Sequence, residues 1–273
     1  MNTELLGPTC AMLSAVTWSI GISAYTSLSK NHEASTINFS RAITALPLFF
    51  LATAAGLFGA TTGLSGYSEI ASHHFYWLTA SMIASYAFGD VLILKSIACI
   101  GLPSALAISS VYPLWSALAS VLFRGEQLGY SQINGLFLVV IGTALVILSR
   151  RNSQQTVAEK KNQTKGILLA LATSLLWALN TYAVAEGGSG LPPTITNTIR
   201  MVLAVLLCPT IGYFMSGTKK IILPWPDMKK SLWIFALEGF GGSSLFIYGM
   251  THSNLAVASA LSSIAPVITV PIA

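Results

Sequence analysis

Apolar residues come in long runs along this chain, each closed by a few polar or turn-forming residues. A helix needs about 20 apolar residues to cross a bilayer, because the hydrocarbon core is about 30 Å thick and each residue rises about 1.5 Å. Nine runs approach or reach that length, at 5–28, 36–58, 75–97, 103–123, 131–149, 166–186, 193–215, 231–251 and 256–273. The connections are short. The longest polar stretch, RRNSQQTVAEKKNQTK at 150–165, reads as a basic linker between two halves, 1–149 and 166–273. The pattern predicts an all-α integral membrane protein.

The two halves repeat each other. LSAVTWSI at 13–20 matches ATSLLWAL at 172–179, which pairs Trp18 with Trp177. The same offset of 159 pairs Gly7 with Gly166, Asn38 with Asn197 and Arg41 with Arg200. Further on, GLPSALAISSVYP at 101–113 matches NLAVASALSSIAP at 254–266 at an offset of 153, pairing Ser109–Ser110 with Ser262–Ser263 and Pro113 with Pro266. The change of 6 falls in the loop after the second helix of each half, where a length change costs little. A unit of five helices has an odd number of crossings, so its second copy enters the membrane inverted. Inverted repeats are the architecture of secondary transporters, whose substrate site lies where the repeats meet. From Pro113 the first unit runs on for 36 residues and from Pro266 the second has 7. The expectation is therefore ten transmembrane helices in the full pattern, with the end of helix nine and helix ten absent from this sequence.

Composition agrees with lipid as the main solvent. Hydrophobic residues make up 53%, charged residues 8%, and the mean hydropathy is +0.70. The net charge of +5 does not indicate nucleic acid, since the basic residues lie in short loops between apolar runs. Cys10, Cys99 and Cys208 share no metal-type spacing and read as small packing residues. MNTELLGP lacks a basic segment ahead of a long apolar run, so the first helix is expected to stay in the protein.

In this order the features resemble the drug/metabolite transporter superfamily, and in particular its EamA-type ten-helix transporters. The resemblance rests on Trp18 in the first helix, Arg41 early in the second, and the stretch 104–148, where a proline is followed by Gly125–Glu126 in the turn before a glycine-containing fifth helix. The second copy keeps the tryptophan, arginine and proline; its Gly-Glu turn would fall beyond Ala273. The resemblance implies alternating-access transport of small metabolites, often export of amino acids or related compounds, from a multi-pass plasma-membrane protein (the inner membrane in a bacterium), as a monomer or a homodimer.

Five charged residues fall inside the runs: Arg41, Asp90, Lys95, Arg200 and Glu238. A charge at the bilayer centre costs about 2.5–3.5 kcal/mol on insertion scales, so such groups face protein or water. Lys95 lies near a helix end and can snorkel to the headgroups. Arg41 and Arg200 fit either a structural clamp on carbonyls or an anion-facing cavity. Asp90 and Glu238 fall at similar depth on the side where Arg41 sits, as proton-coupling candidates or as structural partners of Arg41, Ser or Tyr. Trp18, Tyr86, Tyr112, Trp177, Asn180, Tyr182 and Tyr248 are further candidates for a substrate cavity with an apolar wall and a few polar handles; plain packing is the alternative.

An intramembrane enzyme and a non-transporting scaffold are the competing readings. Gly187-Gly188-Ser189-Gly190 has the form of an intramembrane serine-protease motif, but it lies in a loop with no helical histidine to act as base. The only other aspartate beside Asp90 is Asp227, in a loop, so an aspartyl dyad is not formed. No Walker A motif, HExxH or His/Cys cluster occurs, and neither enzymatic activity, a cofactor nor a metal is expected. Orientation follows from charge: the loops after helices one, three, five and seven carry Lys30, Arg150, Arg151, Lys160, Lys161, Lys165, Lys219, Lys220, Lys229 and Lys230, against Arg124 alone on the other side. Basic loops resist translocation, so the 150–165 linker is expected in the cytoplasm and the N-terminus outside.

Overall fold

The computed structural model describes residues 3–60, 63–149, 157–217 and 219–269. Among the described residues nine long helices follow one another: α1 Thr3–Leu28, α2 Ala34–Ala54, α3 Ser72–Ile100, α4 Leu102–Arg124, α5 Tyr130–Ser149, α6 Val157–Gly187, α7 Pro193–Ser216, α8 Trp225–Thr251 and α9 Leu255–Thr269. Seven of them, α1–α4 and α6–α8, are long and apolar enough to cross a membrane. The protein is a multi-pass, all-α membrane protein, with no strand among the described residues. Backbone groups inside lipid must bond within their own segment, and helices do this.

Several helices begin earlier than the apolar runs. α8 starts at Trp225 rather than 231, α3 at Ser72 rather than 75, and α6 at Val157, inside the stretch read as a linker. Hydropathy marks only what lies in hydrocarbon, whereas the helix continues into the polar margin through residues such as Asp227 and Lys229. α2 stops at Ala54 rather than 58, because Gly56 and Gly59 turn the chain at φ of 69° and 81°.

The halves exchange partners. α1 packs along α8 and α9, while its counterpart α6 packs along α3 and α4; α2 and α7 lie against each other. Two glycines show the symmetry at atomic scale. A Cβ at Gly166 would lie 2.6 Å from Ile100 Cγ2 and 2.9 Å from Cys99 Cβ, and one at Gly7 would collide with Ser253 and His252. Ser253 and Ile100 are themselves 153 positions apart. Without a hydrophobic force between helices in lipid, close approach through small residues supplies the packing.

α4 and α9 are broken at matching places. α4 divides into Leu102–Ser109 and Tyr112–Arg124, and α9 into Leu255–Ser262 and Ala265–Thr269, each break next to the proline of the repeat. The breaks meet: the Ser110 hydroxyl donates to the Ser263 carbonyl at 3.2 Å, and Tyr112 bonds the Ser262 hydroxyl. Ser110 and Ser263, matching positions of the two repeats, thus touch each other.

A charged cavity between the repeats

α3 and α8 each widen by one residue in mid-helix. Ile83–Gly89 and Phe235–Gly242 are π-helical, and the closing bonds match: the Asp90 amide donates to the Ser85 carbonyl, the Ser243 amide to the Glu238 carbonyl. Such turns arise from a single inserted residue and cluster at functional sites. The offset of 153 sets Ser85 against Glu238 and Asp90 against Ser243. Each widened turn thus holds one serine and one acid, in opposite order.

The acids converge on one arginine. Arg41, fully buried on α2, donates from Nη2 to Asp90 Oδ2 at 2.8 Å and from Nη1 to Glu238 Oε2 at 3.2 Å. Tyr25 on α1 donates its hydroxyl to the same Glu238 oxygen at 2.5 Å. The guanidinium lies over the rings of Tyr86 and Tyr25, 3.8 and 5.1 Å from their centroids. In a low dielectric each of these contacts is stronger than in water. Asn38, near Arg41 on α2, donates to the Tyr86 carbonyl at 2.8 Å and so steadies the widened turn of α3.

Arg200, the counterpart of Arg41, is also buried, but its partners differ. Its Nε donates to Ser81 Oγ at 3.1 Å, Nη1 to Asn197 Oδ1 at 3.2 Å and Nη2 to Asn180 Oδ1 at 3.2 Å. All three acceptors are neutral.

Between these groups lies a cavity of about 810 Å³, counting the part that opens to the surroundings. It holds nine of the eleven cavity and coupling candidates read from the sequence: Trp18, Arg41, Tyr86, Asp90, Tyr112, Trp177, Asn180, Arg200 and Glu238 all line it. Trp18 and Trp177 meet edge to face at 5.7 Å, and Tyr112 meets Trp177 in the same way at 6.1 Å, forming an aromatic wall. Tyr182, whose ring meets Trp77 and Phe123 edge to face, lies outside the lining, and so does Tyr248. One helical turn before His252, Tyr248 stacks on that ring at 4.1 Å. Lys95 is exposed near the end of α3. Ser14, Ser85 and Phe246 also line the cavity and were not read from the sequence. The repeat could have found Ser85, as the partner of Glu238. Tyr25 is two helical turns from Trp18, and that spacing could have placed it on the same face.

Polar contacts join the repeats toward both ends of the bundle. At one end the His32 ring meets Asp227 at 2.9 Å, and Thr36 donates to the Lys220 carbonyl at 2.5 Å. At the other, Arg124 pairs with Glu186 at 3.6 Å, and Glu126 accepts the Leu255 amide at 3.1 Å. Ser189, of the protease-like string, is exposed in the loop after α6, and its carbonyl meets the His74 ring at 3.2 Å. Among the described residues no His/Cys/Asp/Glu group could hold a metal ion.

Known proteins fit this arrangement. The EamA-like transporter family matches residues 5–148 and again 164–273. The chain is 25% identical over 197 residues to an uncharacterized transporter of Archaeoglobus fulgidus (strain ATCC 49558 / DSM 4304 / JCM 9628 / NBRC 100126 / VC-16), a match covering 72% of this chain and 65% of that protein, just under two thirds of its length. A solved crystal structure shares the fold with a TM-score of 0.64 at 15% identity, covering 99% of this chain and 86% of the other.

Proposed function

Because the chain belongs to the EamA-like transporter family, we propose that it is a secondary transporter of small organic metabolites, an exporter of amino acids or related compounds in the plasma membrane, working by alternating access. The observation that carries this reading is the cavity between the repeats, lined from both by charged and aromatic side chains, with an inter-repeat polar latch at each end. Substrate binds among the aromatic wall and the charged groups; one latch opens while the other stays closed, and the repeats then exchange roles. A scaffold has no use for charged groups around a cavity at that depth, which cost free energy to bury.

Asp90 and Glu238 are the proposed coupling groups. Both share one arginine, so protonating either leaves Arg41 paired with the other. The cluster can therefore take up a proton without exposing an unpaired buried cation.

Accessibility tests the mechanism. A single cysteine at Ser14, which lines the cavity, is placed on a background with Cys10, Cys99 and Cys208 replaced. Alternating access predicts reaction with an impermeant thiol reagent from each side of the membrane, with transported solute shifting the balance between sides. Reaction from one side only, under every solute and gradient tried, would rule out alternation.

A further inference from the structure

The repeat supplies two matched arginines, yet both buried acids serve one of them. Arg41 has two carboxylates; Arg200 has none within 4.0 Å among the described residues. It is held by a serine hydroxyl and two amide oxygens, which orient a guanidinium without neutralising it. The guanidinium carries more N–H donors than these acceptors take up. Beside it the Asn197 amide nitrogen is buried with no partner, although the matching nitrogen of Asn38 is bonded. A buried cation without a counter-ion is costly, and proteins pair it or leave it for a ligand.

We infer that Arg200 is the anchor for a carboxylate, and that the solute taken by this cavity is a small organic monoanion with an apolar or aromatic body. The carboxylate meets the unused donors of Arg200 while Asn180, Asn197 and Ser81 hold the fork in place. The body lies against Trp18, Trp177 and Tyr112. A monoanion fits better than a phosphate. Of the two arginines that line the cavity, Arg200 is the one without a carboxylate within 4.0 Å among the described residues, and the Arg41 cluster with its two carboxylates disfavours a doubly charged ligand. This names the solute class for the transporter reading and rests on that reading for its role; the binding site itself does not.

The test is titration calorimetry on the full purified chain with acids and their uncharged amides matched in shape: phenylacetate against phenylacetamide, hexanoate against hexanamide, with inorganic phosphate alongside. In the unaltered protein at least one acid should bind about tenfold or more tightly than its amide, the worth of one charge-assisted contact. Arg200→Gln should bring that ratio near one, and Arg200→Lys should keep part of it. Asn180→Asp places a carboxylate inside the protein where Arg200 already has an oxygen partner. It should abolish acid binding while keeping or raising the melting temperature, which separates loss of the site from loss of the fold. The inference is overturned by amides binding as well as acids, by no acid binding to folded protein, by phosphate binding more tightly than the acids, or by an acid preference that survives Arg200→Gln. Counterflow in proteoliposomes separates the two readings. An acid preference without counterflow removes the transporter reading and leaves the site. Counterflow of neutral solutes unaffected by Arg200→Gln leaves transport and removes the site.

Discussion

Arg41 is the residue on which most of the buried charge depends. Removing it leaves two carboxylates facing each other without a cation, whereas removing one acid leaves an ion pair intact. Breaking a buried pair in this way costs about 3–5 kcal/mol. Arg41→Gln should therefore lower the thermal unfolding temperature in detergent far more than Glu238→Gln, and equal melting of the two variants would contradict the shared-pair geometry. The coupling role makes a separate prediction. In proteoliposomes, Asp90→Asn or Glu238→Gln should abolish accumulation driven by an imposed pH gradient while solute exchange continues. Gradient-driven accumulation that persists in both variants would reduce these acids to structural partners of Arg41. That charged residues matter here was legible in the sequence, because an ion in an apolar run stands out. Their pairing was not: a sequence gives depth along a helix but not the angle around it. Tyr25, Ser14 and Ser85 escaped notice because hydroxyls in apolar helices cost little and are common. Tyr248 was misplaced for the same reason of angle; its ring turns to His252.

At the scale of elements, the widened turns of α3 and α8 set the site. One extra residue per turn rotates everything after it, and this brings Asp90 and Glu238 onto one arginine. Hydropathy reads the length and position of a span but not a one-residue insertion, so the nine helices were legible and the two widened turns were not. The helix breaks at Ser109–Ser110 and Ser262–Ser263 were visible as a repeated motif, though not as the place where the halves touch. The latches carry the element-scale prediction. Cysteine pairs replacing His32 with Asp227, and Arg124 with Glu186, are joined by a short bifunctional thiol reagent. Either cross-link should stop transport, since each holds one end of the bundle shut. Transport at the uncross-linked rate with both ends joined would mean that these faces do not open.

For the molecule as a whole, charge decides orientation. By the order of the helices Lys95, exposed near the close of α3, belongs to the same end as the loops that carry Lys30, Lys219 and Lys220. With basic loops retained in the cytoplasm, a cysteine at exposed Lys229 should resist an impermeant reagent in intact cells and react after permeabilisation. A cysteine at exposed Glu69, beyond the opposite end of α2, should react in intact cells; the reverse pattern would show the orientation to be inverted. The central claim is that solute passes through the cavity between the two repeats, and counterflow tests it most directly. Purified protein in proteoliposomes is preloaded with each of a panel of amino acids and small organic acids, and a labelled trace of the same solute is added outside. At least one solute should show transient accumulation of label, lost in Trp177→Arg, which fills the aromatic wall with charge. Absence of counterflow for every solute in protein shown to be folded, or counterflow unchanged in Trp177→Arg, would contradict it.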